Sequence, residues 1–212
     1  MNRLTALAGL ALTLAFSAGD APAAVDRSEP PEATPPRPLS PPPAYVHRLA
    51  NGLTVHLVEM REVPVVEMVL VARNAGAASD PAEREGLAFM VADMLDEGAG
   101  GRDALETADA LDLLGAQLET AANWDAGTVR LRVPVARLPQ ALPVFADVVR
   151  RPDFSAADLA RLREEALTGL LQARDEPRAI AMRALHEAVF GAAHRYGRPD
   201  GGTASSLSAL TT

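Results

Sequence analysis

Between Glu85 and Gly101 the apolar residues recur at helical spacing. Leu87, Met90, Val91, Met94 and Leu95 stand at i, i+3, i+4, i+7 and i+8, which stacks them along one stripe of an α-helix. Asp80 before Pro81, with Glu83 three residues on, reads as an N-cap, a first helical residue and a capping-box acid, and Gly98, Gly100 and Gly101 supply the stop. The pattern predicts a helix over Pro81–Glu97. At about 100° per residue, Phe89, Ala92 and Asp93 share the face opposite the stripe.

Upstream the period changes to two. Leu53, Val55 and Leu57 alternate after an Asn51-Gly52 turn, predicting a hairpin that starts near Tyr45. From Val65 to Ala72 both sets of alternate positions are apolar apart from Glu67, which predicts a strand central in its sheet with material packed on each face. Downstream, Asp103 and Glu106 form a capping box for a helix whose predicted buried stripe is Leu105, Ala108, Leu111 and Leu114, closed by Gly115. Gln117–Ala121 and Ala126–Val135 read as antiparallel strands joined at Asn123-Trp124-Asp125, the second apolar at Val129, Leu131 and Val133 and polar at Arg130 and Arg132. Trp124 has two readings, a ligand platform or an aromatic packed on the nearest helix. Pro139 and Pro143 restrict the next helix, whose regular part is expected from Leu142 to Arg150. Ser155 and Asp158 cap a long helix over Ala156–Arg174, with a stripe of Leu159, Leu162, Ala166, Leu167, Leu170 and Leu171. A last helix is expected over Ala179–Phe190, followed by a glycine-rich loop.

The residues before Tyr45 have a different character. Arg3, an apolar run from Leu4 to Ala18, and Ala21-Pro22-Ala23 give the three-part layout of a secretory signal over residues 1–24. This predicts export, to the periplasm or the medium. Residues 25–44 are proline-rich, which favours extended chain and reads either as a spacer or as a disordered tail, leaving residues 45–212 as the folded unit. The net charge of −8 opposes binding to nucleic acid or anionic lipid, and without cysteine the fold uses no disulfide or thiolate ligand.

The stretch GLAFMVADML resembles the opening motif helix of the insulinase and pitrilysin-type zinc peptidases, the inverzincins. In that family a Gly-Leu-Ala lead-in precedes His-x-x-Glu-His, two histidines binding zinc and a glutamate handling the proton of its water. Here Phe89, Ala92 and Asp93 occupy those three places. LANGLTVHLVEM, VARNAGAASDP and VVRRPDFS resemble the same family, as does His194-Arg195-Tyr196-Gly197, with Arg195 in place of a proline. Matching on LLQARDEP puts Gly169 where the family has its third zinc ligand, a glutamate; a slip of one turn would offer Glu165.

The resemblance implies an α+β fold, a mainly antiparallel sheet with helices packed on it. It also implies a larger assembly in which two such units make a half and two halves close around a peptide chamber. On this basis the chain is expected to be a catalytically inactive subunit that pairs with an active zinc-peptidase homologue, with an exposed surface meant for the second unit. Phe89 and Asp93 are its candidate peptide or partner contacts, with filling of the volume left by the metal site as the other reading of Phe89. No cofactor is expected, because Phe89 and Ala92 offer zinc no lone pair. Glu164 and Glu165 read as a solvated helix face, and His47, His56, His186 and His194 do not build a site. The alternatives are a working zinc endopeptidase that recruits metal through Asp93, Glu165 and a histidine, and a structural envelope protein.

Overall fold

Strand β7 (Ala126–Pro134) carries the deepest part of the core, because its alternation puts Val129, Leu131 and Val133 on one face, with Leu131 and Val133 wholly buried. The computed structural model describes residues 38–212; the predicted signal and the proline-rich stretch up to Arg37 lie outside the described residues. β7 pairs antiparallel with β3 (Val65–Arg73) on one side and β6 (Gln117–Ala122) on the other. The register sets Met68 opposite Leu131, Val66 opposite Val133 and Leu118 opposite Leu131, so three strands contribute to one apolar face. Helix α1 (Leu87–Met94), helix α2 (Ala104–Asp112) and helix α3 (Leu138–Arg150) pack on this sheet, and α3 contributes Ala141, Val144, Phe145 and Val148 to the core. A small ladder, β4 (Gly98–Ala99) with β5 (Arg102–Asp103), links α1 to α2. A second cluster joins Met90 and Met94 of α1 to Leu159 and Leu162 of α4 (Ala156–Gln172) and Leu207 of α6 (Ala204–Ser208). Helix α5 (Pro177–Phe190) lies between α4 and α6 in the chain and buries none of its residues. The result is the expected mix of antiparallel sheet and packed helices.

Among the described residues, 38–59 form a separate unit. Its hairpin pairs β1 (Ala44–Arg48) with β2 (Thr54–Val58), and Gly52 takes a positive φ in the turn while Asn51 Oδ1 accepts the Leu53 N–H.

Several elements differ from their sequence reading. β3 is an edge strand, not a central one, and its outward Val69 and Val71 are 44% and 56% exposed. Apolar residues on both faces of a strand do not reveal how many neighbours it has. α1 is shorter than Pro81–Glu97, because Pro81–Arg84 closes a separate turn and Gly86 breaks the helix with φ +90°. The predicted stripe of α2 holds only in its second half: Leu111 is buried and Leu114 packs on the core, whereas Leu105 is 68% exposed, Ala108 also faces water, and Thr107 is inside in their place. α3 runs unbroken through Pro143. The carbonyl that Pro143 leaves unpaired belongs to Pro139 in the first turn, where both prolines are exposed and water can serve it. α4 ends at Gln172 with Leu171 exposed, and α5 begins at Pro177, capped by Glu176.

Candidate functional site

The helix bearing Phe89, Ala92 and Asp93 is fixed at its start by residues from both directions along the chain. Asp80 Oδ2 accepts the Gly86 N–H at 2.9 Å and Oδ1 accepts the Ala88 N–H at 3.0 Å, so Asp80 does cap α1, but across a turn instead of from the adjacent position. Glu83, the predicted capping-box acid, stays exposed. Burial pushes the Asp80 carboxyl above the usual carboxylate range, against the opposing pull of these N–H groups and of Arg195, whose Nη2 lies 3.6 Å away. Arg198 Nη1 pairs with buried Glu85 at 2.8 Å, and Ser206 Oγ donates to the Glu85 carbonyl at 2.8 Å. The loop in which Arg195 replaces a proline thus fastens the entry to α1. Its departure from the family phrase was visible in the sequence; its target was not.

The same loop is held by a ring cluster. Trp124 at the β6–β7 turn stacks with His186 of α5 at 5.8 Å and meets Tyr196 at 5.1 Å, with the Arg195 guanidinium 5.7 Å over its ring. The Tyr196 hydroxyl donates to Asp125, and His194 Nδ1 accepts the Tyr196 N–H at 3.2 Å. His186 Nδ1 lies 3.2 Å from the Tyr196 carbonyl.

Of the three motif positions, Ala92 is 4% exposed, Phe89 is half-buried and Asp93 is exposed. Ala92 therefore does not look outward, contrary to the helical-wheel reading. α1 is covered on two sides, by the sheet and by α4, so the arc opposite its apolar stripe is not all open. Phe89 is neither sealed in the core nor free on the surface.

Asp93 stands within electrostatic reach of Glu165, the residue offered by the one-turn slip on α4. Although part of the residue meets water, partial burial raises its carboxyl above the ordinary range, and the charges of Asp96, Glu165 and Glu97 push the same way. Asp96 is raised by burial and by Glu97. Gly169, the other matched position, has no atom within 4 Å of where a Cβ would stand.

A raised folded-state value means that ionised Asp93 disfavours folding, so its contribution worsens as pH rises through that value and is neutral well below the unfolded value. Asp93→Asn is accordingly expected to raise Tm at neutral pH, with the gain fading toward pH 3 to about 4. Thermal unfolding of both proteins across that range measures this directly; an Asn variant no more stable at neutral pH would contradict it.

A model of the insulinase family, peptidase family M16, matches residues 61–199. The chain belongs to that family. A protein named as an uncharacterized zinc protease from Rickettsia bellii is 26% identical over 145 residues, which is 68% of this chain and 35% of that protein. Another so named, from Rickettsia felis, is 24% identical over 78% of this chain and 40% of its own length. Among solved structures, the peptidase M16 inactive domain from Pseudomonas fluorescens superposes with a TM-score of 0.76 at 31% identity, covering 80% of this chain and 41% of that one. Pitrilysin shares the fold at a TM-score of 0.65 and 24% identity, over 78% of this chain and 18% of its own. This M16 chain spans less than half the length of these relatives.

The M16 fold implies zinc, and the residues present do not fit it. A phenyl ring stands at the first of the two histidine positions, the methyl group of Ala92 stands where the family has its base, and Gly169 has no side chain to give. Among the described residues no three His, Cys, Asp or Glu side chains converge to hold a metal ion. No helix among them is long and apolar enough to cross a membrane.

Proposed function

We propose that this chain is an exported, non-catalytic M16 unit that pairs with an active zinc-peptidase homologue and contributes to a peptide-binding chamber. The observation that carries the reading is the set of replaced residues: Phe89 and Gly169 supply no lone pair at two of the matched zinc-ligand positions, and Ala92 supplies none at the position of the base. Two further features support it. The similar Pseudomonas fluorescens structure is named an inactive M16 domain. Helix α5 leaves Met182, Leu185 and Val189, at i, i+3 and i+7, between 46% and 64% exposed, an apolar face suited to a protein partner. Within the site, half-buried Phe89 and exposed Asp93 are the residues we assign to peptide or partner contact.

The test is affinity purification from the source cell, followed by crosslinking to an unfolded peptide. Recovery of a homologue with an intact His-x-x-Glu-His, and peptide crosslinks that depend on Phe89, are expected. A complex without peptide crosslinks would favour a structural envelope role. The nearness of Asp93 and Glu165 favours a second reading, an active peptidase with a non-standard metal site. One tightly held zinc per chain in the purified protein would establish that reading over ours.

A further inference from the structure

The carboxylates between α1 and α4 are gathered around an arginine. Arg161 Nη2 lies 2.5 Å from Glu97 Oε2, just past the end of α1, and its Nη1 lies 2.9 Å from Glu165 Oε1, one turn along α4. Asp158 Oδ1 is 3.8 Å from Nη2. Glu97 is the most buried of these partners, and the pairs with it and with Glu165 hold the guanidinium firmly protonated. Asp93 and Asp96 add negative charge beside them and, among the described residues, have no ion-pair partner of their own.

A planar guanidinium presents a fork of N–H donors that can serve carboxylates on two elements at once. A divalent ion would do the opposite chemistry, accepting lone pairs from three or more ligands, and would be repelled by the arginine. We propose that Arg161 is the fixed cation of this interhelix site, a positioning residue that draws the end of α1 onto α4 and makes a divalent metal unnecessary there. This rests on the metal-free reading of the site, but not on the pairing of the chain with any partner.

The test uses the full chain and its Arg161→Met, Arg161→Lys and Arg161→Met/Glu97→Gln variants. Thermal unfolding is followed at low and high salt, with and without calcium chloride, alongside calorimetric titration with zinc chloride. The wild type should take up no stoichiometric zinc. Arg161→Met should lower Tm by about 2–4 °C at low salt, and added salt or calcium should restore part of the loss by screening or pairing the orphaned carboxylates. The lysine variant should fall between the two. Glu97→Gln should rescue the methionine variant, which loss of the arginine's aliphatic packing alone would not allow. A methionine variant with wild-type Tm and salt response, or one that Glu97→Gln does not rescue, overturns the proposal for Arg161 while leaving the metal-free reading intact. Stoichiometric zinc in the wild type overturns both.

Discussion

Ala92→Glu, which restores the acid of the family motif at its own position, is expected to destabilise the chain by about 3–5 kcal/mol, the scale for an uncompensated buried charge. Ala92 is 4% exposed on a helix packed between the sheet and α4, so a carboxylate there must be stripped of water and must displace well-packed neighbours. Urea unfolding of the variant beside the wild type gives the difference. The consequence for function is that the motif does not return by one substitution. The combination Phe89→His, Ala92→Glu and Asp93→His is expected to show no zinc-dependent peptide cleavage, since Gly169 still supplies no third donor. An Ala92→Glu protein as stable as the wild type would mean that water and space remain at that position, and the site would then have to be regarded as open.

The second large effect is expected far away in the chain, at Gly202. This residue has φ +80°, and a Cβ placed on it would lie 2.2 Å from the Glu85 carbonyl oxygen and 2.9 Å from Ser206 Oγ. Backbone cannot yield as a flexible side chain can, so Gly202→Ala combines a left-handed conformation costing about 1–2 kcal/mol with an overpacking cost of about 1–3 kcal/mol. The contact it breaks is the one that fastens the segment entering α1. The expected result is a total loss of about 2–5 kcal/mol in urea unfolding, together with faster amide exchange at Gly86 and Ala88, whose N–H groups bond to Asp80 in the same region. Gly201, its neighbour, has open space around its Cβ position and serves as the control: Gly201→Ala should leave both measurements near wild type. Equal effects at the two positions would show that the close approach of Gly202 to Glu85 is unimportant.

Both predictions depend on contacts that bring distant segments onto one short helix, and these contacts mark where sequence reasoning stopped. The helical stripe of α1 is legible in part: Met90 and Met94 are buried as it requires, whereas Val91, one position on, is 38% exposed. The start of α1 is not legible, because Asp80-Pro81 carries the local marks of a helix N-terminus. The Asp80 carboxylate instead reaches forward to Gly86 and Ala88, which turns an apparent N-cap into a cap across a turn. A helical wheel puts Ala92 outward because it assumes one covered side, whereas α1 has the sheet on one flank and α4 on another. Along the sequence Arg161 offers no signal of its own, since in a single helix it forms an ordinary i, i+4 pair with Glu165. Only the arrival of Glu97 from the end of α1 makes it the centre of a charge cluster.

By itself the sequence determined the α+β character, the capping box of α2, the β6–β7 turn and the identities of Phe89, Ala92 and Asp93 where the family motif has its two histidines and its glutamate. These rest on residue identity, or on interactions within a turn or two of the chain, where spacing fixes geometry. The tertiary structure alone decided that β3 lies at an edge, that Ala92 is enclosed, that Arg195 and Arg198 secure the entry to α1, and that Arg161 joins two helices. Each of those depends on which surfaces meet after the chain has closed on itself, and periodicity along one segment carries no information about what arrives to cover it.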